Sequence, residues 1–396
     1  MLDFEEAVSR VLSDVPLLDR ERLPLRAADG RVLGEAVHAR ADLPPFDTSA
    51  MDGYAVRSAD LAGDGPFDLP VAGESRTGHP APVLAPASAC RIFTGAVLPA
   101  GADAVVMQEQ VERDGDRARL RGRPKPYDHV RRAGEELRSG ALALEAGTRL
   151  GPAQLGLLAA LDQSEVIVRR RPAVTILCTG DELRPPGSPA FEGSIPESNG
   201  VALGALAARC GATVRLSPLA RDELDATESA VRDALSKSDL LLTVGGVSVG
   251  DHDLVRDALE AAGVTLDFWK VRIKPGKPLA YGAGAGARVL GLPGNPVSAL
   301  VTFALFGAPL LRAMQGDRNP LPAYGRAELA APIVHSPGRL GFYRVRLEGS
   351  SAVPLENQSS GAMSSMAWAD ALAVVPAAAE RVAAGEWVRV LRLDDL

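Results

Sequence analysis

The alternation of short apolar runs with amphipathic stretches between residues 172 and 315 constrains this chain more than any other feature. "AVTILCTG" leads into "SNGVALGALAARCG", "TVRLSPLA" into "DELDATESAVRDALSKS", and "DLLLTVGG" into "HDLVRDALEAAG". Apolar runs too short for helices, alternating with helical periods of ~10 to 15 residues, predict a mostly parallel sheet covered on both faces. "DFWKVRI", a Gly-rich turn "YGAGAGA", the strand "RVLGL" and a long helix after "PGNP" complete the unit. In such sheets ligands collect outside the carboxyl ends of the strands. Those ends here carry "CTGDEL", "TVGGVSVGDHD" and "GLPGNP".

The remaining residues read differently. At ~150 residues per domain, 396 residues leave room for further domains. The N-terminal "MLDFEEAVSRVLSDV" is an amphipathic helix with Phe4, Val8, Val11 and Leu12 on its apolar side, and its acidic start does not read as a signal peptide. Helical pieces are expected over 1–30 and at "GPAQLGLLAALDQ", where Pro152 suits a first helical turn. Between them, residues 46–140 have short β-like runs and many turns, and after about 325 the chain returns to strands. The expected class is α/β plus β, multidomain: a helical linker domain from 1–45 and 141–170, an inserted β-rich module at 46–140, a three-layer α/β domain at 171–322 and a C-terminal all-β domain at 323–396.

Composition excludes several functions. A net charge of −7 disfavours a nucleic-acid surface, which needs a basic face. The longest apolar run, "VSALVTFALFGAPLLRAM", contains Pro309 and falls short of about 20 uninterrupted apolar residues, so a buried helix is expected and no membrane partner. Cys90, Cys178 and Cys210 are odd in number and lack C-x-x-C spacing, which suggests neither a disulfide framework nor a zinc site and fits a cytoplasmic protein. His38, His79, His129, His252 and His335 are scattered, with no H-x-x-x-H, G-x-S-x-G or Walker A string. What remains is anion handling by lysines and carboxylates.

The candidate strings each have an ordinary structural meaning beside the functional one. "PPFDTSAMDGYAV" crowds Asp47, Thr48, Ser49, Asp52 and Gly53 into what could be a turn. In "TVGGVSVGDHD", Gly245 and Gly246 let a ligand approach bare N–H groups, Ser248 adds a hydroxyl, and Asp251 and Asp253 follow. One Asp caps a helix. Two like charges about 4 Å apart repel by about 4 kcal/mol at an effective dielectric near 20, and a hard cation such as Mg²⁺, shared with phosphate oxygens, relieves that repulsion. "KVRIKPGKPLA" holds Lys270, Lys274 and Lys277 around a stiffened turn, which is either a solvated turn or a grip on an oxyanion. "GLPGNP" turns through Gly294 and Asn295 into a helix start, either a plain cap or an anion site. Asp181 and Glu182 follow a strand, and "NQSSGAMSS" is a hydroxyl-rich loop.

Taken together, "PPFDTSAMDGYAV", "RIFTGAVLP", "HVRRAGEEL", "CTGDEL", "GGVSVGDHD", "FWKVRIKPGKP" and "GLPGNPVSA", in that order, resemble the molybdopterin molybdotransferases, the MoeA-type enzymes similar to the C-terminal domain of gephyrin. The resemblance implies a transferase that inserts molybdate into adenylyl-molybdopterin, releasing AMP. It implies catalytic roles for Asp52, Thr94, Glu182, Asp222 and Asp253, with Asp52 reaching the site of a partner subunit in a homodimer with shared active sites. Substrate contacts would come from Arg131, Gly245, Gly246, Ser248, Lys270, Lys274, Lys277 and Asn295, and by a looser alignment from Arg344 and Ser360. Asp251, Asp253 and Glu182 would hold Mg²⁺. Contacts with other proteins of the molybdenum cofactor pathway are also implied. Two departures stand out: Thr48 replaces a common Asn, and Pro196 and Glu197 replace a Tyr-Asp-like pair. The rival functions are a molybdopterin adenylyltransferase and a gephyrin-like scaffold.

Overall fold

The computed structural model describes residues 1–220, 223–246 and 254–395. Its centre is a six-stranded sheet in the order Thr213–Leu216, Ala173–Cys178, Leu240–Val244, Ala287–Leu292, Pro278–Gly284 and Thr265–Lys270. The first four strands are parallel; Pro278–Gly284 runs antiparallel to both of its neighbours, so Thr265–Lys270 points the same way as the first four. Period-two pleating sends alternate side chains to opposite faces. Leu240, Leu242 and Val244 join one core with helix Asn199–Arg209 and the 297–314 segment. Leu241 and Leu177 join the other, against helices Leu224–Leu235 and Leu254–Ala261. This is the expected three-layer domain.

One expected turn is mostly strand. Tyr281 to Gly284 pair antiparallel with Ala287 to Leu290, and only Ala285 and Gly286, both at positive φ, make the reversal. Glycines at 282 and 284 serve close approach instead, since a Cβ on Gly282 would lie 2.6 Å from the Thr265 carbonyl oxygen. The long apolar helix runs from Pro296 to Met314 and is long and apolar enough to cross a membrane, but 89% of an 18-residue stretch of it is buried inside the protein. Its middle, Phe303–Gly307, widens to a π-helical turn just ahead of Pro309. A residue without an N–H fits better where the ladder is already loosened.

The N-terminal helix stops at Leu12, well short of residue 30. Arg20–Pro24 instead pairs antiparallel with Glu165–Arg169, so the linker region around helix Pro152–Ala160 is mixed rather than helical. Prolines at 16 and 24 interrupt the helical pattern. The inserted module has a six-stranded sheet, with Gly53–Val56 between Ala89–Ile92 and Ala104–Met107. Both of its chain crossings pass through one neck: Leu43 exchanges backbone hydrogen bonds with Leu137, Gly134 donates to the Pro44 carbonyl at 2.9 Å, and the Ser139 N–H donates to Asp42 at 2.8 Å. In the C-terminal domain, strands Gly325–Leu329, Leu340–Glu348, Ser351–Pro354, Ala371–Val375 and Trp387–Arg392 close on themselves as a barrel. Ile273–Lys274 adds to that barrel in parallel, Ile273 opposite Leu340 and Lys274 opposite Gly341.

Gly53 explains part of the crowded string: a Cβ there would lie 2.1 Å from the Val106 carbonyl oxygen across the strand pair. Gly53→Ala should destabilise the module by about 1–3 kcal/mol through overpacking. Hydrogen exchange should show the loss of protection confined to Gly53–Val56 and Ala104–Met107.

Candidate functional site

Three cavities meet at the carboxyl ends of the parallel strands. The first, about 470 Å³, is lined by Cys178, Thr179, Glu182, the 195–199 loop, Gly245, Gly246 and the 293–296 turn. The second, about 540 Å³, shares Thr179, Glu182, Gly245 and Gly246 with it and extends to Thr227, Leu254 and Val255. The third, about 620 Å³, shares Pro278 and Asn295 with the first and lies between the 274–278 turn and the barrel. They form one trench.

Its barrel end is cationic. Lys274 and Lys277 enter from the Pro-Gly turn, Arg339 from the barrel, and Ser298, Ser359, Ser360, Gln358 and Asn295 supply neutral polar groups. Among the described residues no carboxylate forms an ion pair with Lys274, Lys277 or Arg339. Confined cations without counter-charges attract an anion. The turn is held by the strand pairing of Lys274 with Gly341 and by Gly276, at φ +106°, whose Cβ would lie 2.4 Å from Thr302 Cγ2. A side chain at 276 would therefore move both lysines.

The other end carries carboxylates. Glu182 is exposed at the rim, while Glu197 is 7% exposed and accepts the Gly200 N–H at 2.7 Å at the start of helix Asn199–Arg209. Cys178 lies 3.5 Å from the same carboxylate oxygen, and burial pushes its thiol far up. Asn199 donates to the Gly294 carbonyl at 2.8 Å and leaves its own buried oxygen without a partner among the described residues. The Pro196–Glu197 departure thus sits in the wall of the first cavity. Among the described residues no group of three His, Cys, Asp or Glu could hold a metal ion. Glu182 alone of the three expected Mg²⁺ ligands is described, so the described residues do not build that centre.

Asp222, Ser248, Asp251 and Asp253 lie outside the described residues. Gly245, Gly246, Lys274, Lys277, Asn295, Ser360 and Glu182 line the trench. Lys270, at the end of Thr265–Lys270, is not among its lining residues. Arg344 requires a correction. It is 1% exposed, with Nε donating to Ser365 Oγ at 2.9 Å and an Nη to the Asn357 and Ser359 carbonyls at 2.7 and 3.0 Å. Burial lowers its guanidinium pKa. Arg344 therefore fastens the loop bearing Ser360 from behind, and the barrel arginine that faces the cavity is Arg339. The sequence gives little sign of this, because "SPGRLG" reads as an ordinary turn between strands.

Asp52, Thr94 and Arg131 lie elsewhere, on the inserted module, and line none of the three cavities. Asp52 Oδ1 accepts both the Thr94 N–H and the Thr94 hydroxyl at 2.8 Å. These bonds, the backbone one first, hold its carboxyl below the usual carboxylate range. Arg131 is exposed on Val130–Arg131, which pairs with Thr48–Ser49. Thr94→Val should remove the hydroxyl bond but keep the backbone one, so the Asp52 pKa should rise only part of the way toward 3.8 in a carboxyl NMR titration.

Three family profiles match in chain order: the MoeA N-terminal region (domain I and II) over residues 2–161, a probable molybdopterin binding domain over 175–313, and the MoeA C-terminal region (domain IV) over 326–393. The chain is 39% identical to a molybdopterin molybdenumtransferase of Haemophilus influenzae, covering 98% of each chain. It is 38% identical to molybdopterin molybdenumtransferase 2 of Mycobacterium tuberculosis, over 93% of this chain and 94% of that one. Among solved structures, a molybdopterin biosynthesis MoeA protein of Pyrococcus horikoshii superposes with a TM-score of 0.87 at 30% identity, covering 99% of this chain and 100% of that one. The chain belongs to the MoeA family of molybdopterin molybdenumtransferases.

Proposed function

We propose that this protein inserts molybdate into adenylyl-molybdopterin, giving molybdenum cofactor and AMP. The observation that carries the reading is the polarity of the trench: an uncompensated cationic cavity at the barrel end, continuous with a glycine- and carboxylate-lined cleft at the strand ends. Molybdate is a tetrahedral dianion, and lysine and arginine donors replace the water it sheds on entry. The cleft takes the pterin and its adenylyl group, with Glu197 and Asn199 offering acceptors to a flat, donor-rich ring. Holding the two reactants in adjoining cavities makes the transfer effectively unimolecular. Cleavage of a phosphoanhydride depends mostly on positioning and charge stabilisation, so no covalent nucleophile is required.

The finer assignments belong to the same proposal. Glu182, Asp251 and Asp253 are the ligands proposed for Mg²⁺, a hard cation that pairs with phosphate oxygens; Asp222 and Ser248 are proposed to face the substrate. Asp52, Thr94 and Arg131 act on the trench of a second subunit, which is supported by the absence of all three from the lining of the trench in their own chain. Three free, buried cysteines suit a reducing compartment such as the cytoplasm.

Purified protein given adenylyl-molybdopterin should release AMP only when molybdate is added. Equal release with and without molybdate counts against insertion, and ATP consumption with free molybdopterin would point to an adenylyltransferase. For the shared site, Asp52→Asn and Lys274→Gln subunits, each inactive alone, should regain about a quarter of wild-type activity after statistical mixing. No recovery in verified mixed dimers would put the whole site in one chain.

A further inference from the structure

Behind the cationic cavity lies a histidine that the proposed reaction does not use. His335 is 4% exposed; its Nε2 lies 2.7 Å from the Arg339 carbonyl oxygen and its Nδ1 2.9 Å from the Tyr343 hydroxyl. That hydroxyl also reaches the Val334 carbonyl at 3.2 Å. The ring packs edge-on to Tyr343, with centroids 5.8 Å apart, and against Gly341, where a Cβ would lie 3.0 Å from the imidazole Cε1. Tyr343 and Arg339 both line the cavity, and the Lys274 ammonium lies 5.9 Å from the Tyr343 ring centroid.

We infer that His335 is a positioning residue for the oxyanion cavity, and that filling the cavity with a dianion places a proton on its ring. A carbonyl only accepts, so Nε2 carries a proton in either charge state. In the neutral ring Nδ1 is an acceptor, and the single Tyr343 hydrogen must serve either Nδ1 or the Val334 carbonyl. In the imidazolium, Nδ1–H donates to the Tyr343 oxygen, the Tyr343 hydrogen goes to Val334, and every partner is satisfied. Within the protein, every member of the network therefore has a partner only when the ring is charged.

The surroundings oppose that charge while the cavity lacks an anion. Lys274 on Ile273–Lys274 and Arg339 in the adjoining turn are both cationic, and with burial, the larger cause, they lower the ring's pKa. Tyr343 faces the ring from Leu340–Glu348; on the opposing segment the Glu380 carbonyl accepts the His335 backbone N–H at 2.8 Å, and Arg381 pairs with Val334. A dianion between Lys274 and Arg339 cancels the repulsion and leaves the hydrogen-bond preference to act. Apparent affinity should then climb as pH falls between the ring's bound and free pKa values, by at most about tenfold per pH unit. The inference rests on the proposed function only for the identity of the dianion.

The test is calorimetry of the full chain with sodium molybdate, between about pH 5 and 8 where a histidine titrates, in two buffers of different ionisation enthalpy. Wild type should take up protons on binding. His335→Gln keeps a donor for Arg339 and an acceptor for Tyr343, and should bind with no uptake and a flat pH profile. Binding by wild type without uptake, or uptake undiminished in His335→Gln, overturns the coupling and leaves the proposed function standing. Failure of wild type to bind molybdate at any pH removes the oxyanion reading first, and the coupling with it. Should His335→Gln not fold, ring ¹⁵N shifts of the five histidines in the wild type decide the matter: one ring should move toward imidazolium when molybdate is added, and none doing so refutes the inference.

Discussion

A two-residue strand holds the trench together. Ile273–Lys274 leaves the α/β domain and pairs with the barrel at Leu340 and Gly341, so the lysines of one domain and Arg339 of another face the same space. Separately, the lysines would be points on a solvated turn and Arg339 a charge in a loop. Backbone hydrogen bonds fix their spacing without using the cationic groups themselves, which stay available to a ligand. On the far side of that wall, Arg344 and Gln358 bind the 355–359 backbone, making the loop before Ser360 as firm as the turn opposite.

The two ends of the trench solve opposite electrostatic problems. Three cations kept close are unfavourable until an anion arrives, and binding energy is gained from relieving that repulsion as well as from new hydrogen bonds. At the strand ends, Glu197 is stabilised by the Gly200 N–H at a helix start, where negative charge is favoured. Asp52, on the inserted module, is kept ionised by Thr94. Both carboxylates accept a backbone N–H.

Much of the architecture was legible because the α/β domain obeys simple periods. Leu240, Leu241 and Leu242 alternate between two cores as a doubly covered strand must, and the "CTGDEL" and "GLPGNP" strings follow strand ends as read. "YGAGAGA" misled because glycine marks turns and close strand contacts alike, and only the partner strand distinguishes them. The pairing of Arg20–Pro24 with Glu165–Arg169 spans more than 140 residues of chain and leaves no local trace. Arg339 and Arg344 were indistinguishable by type. One is a cavity wall and the other a buried fastener, and that depends on which face of the barrel each residue meets.

The neck at Asp42, Leu43 and Pro44 against residues 134–139 has an architectural consequence. Because the outgoing and returning chains are hydrogen-bonded neighbours there, the module is attached to its host at a single point and contributes nothing to closing the fold below it. Its orientation thus depends on the backbone angles at the neck: a small change there moves the Asp52–Thr94 pair through a large arc while leaving the hydrogen bonds between them intact. A handful of neck residues therefore sets the reach of the module without touching either the Asp52–Thr94 pair or the trench.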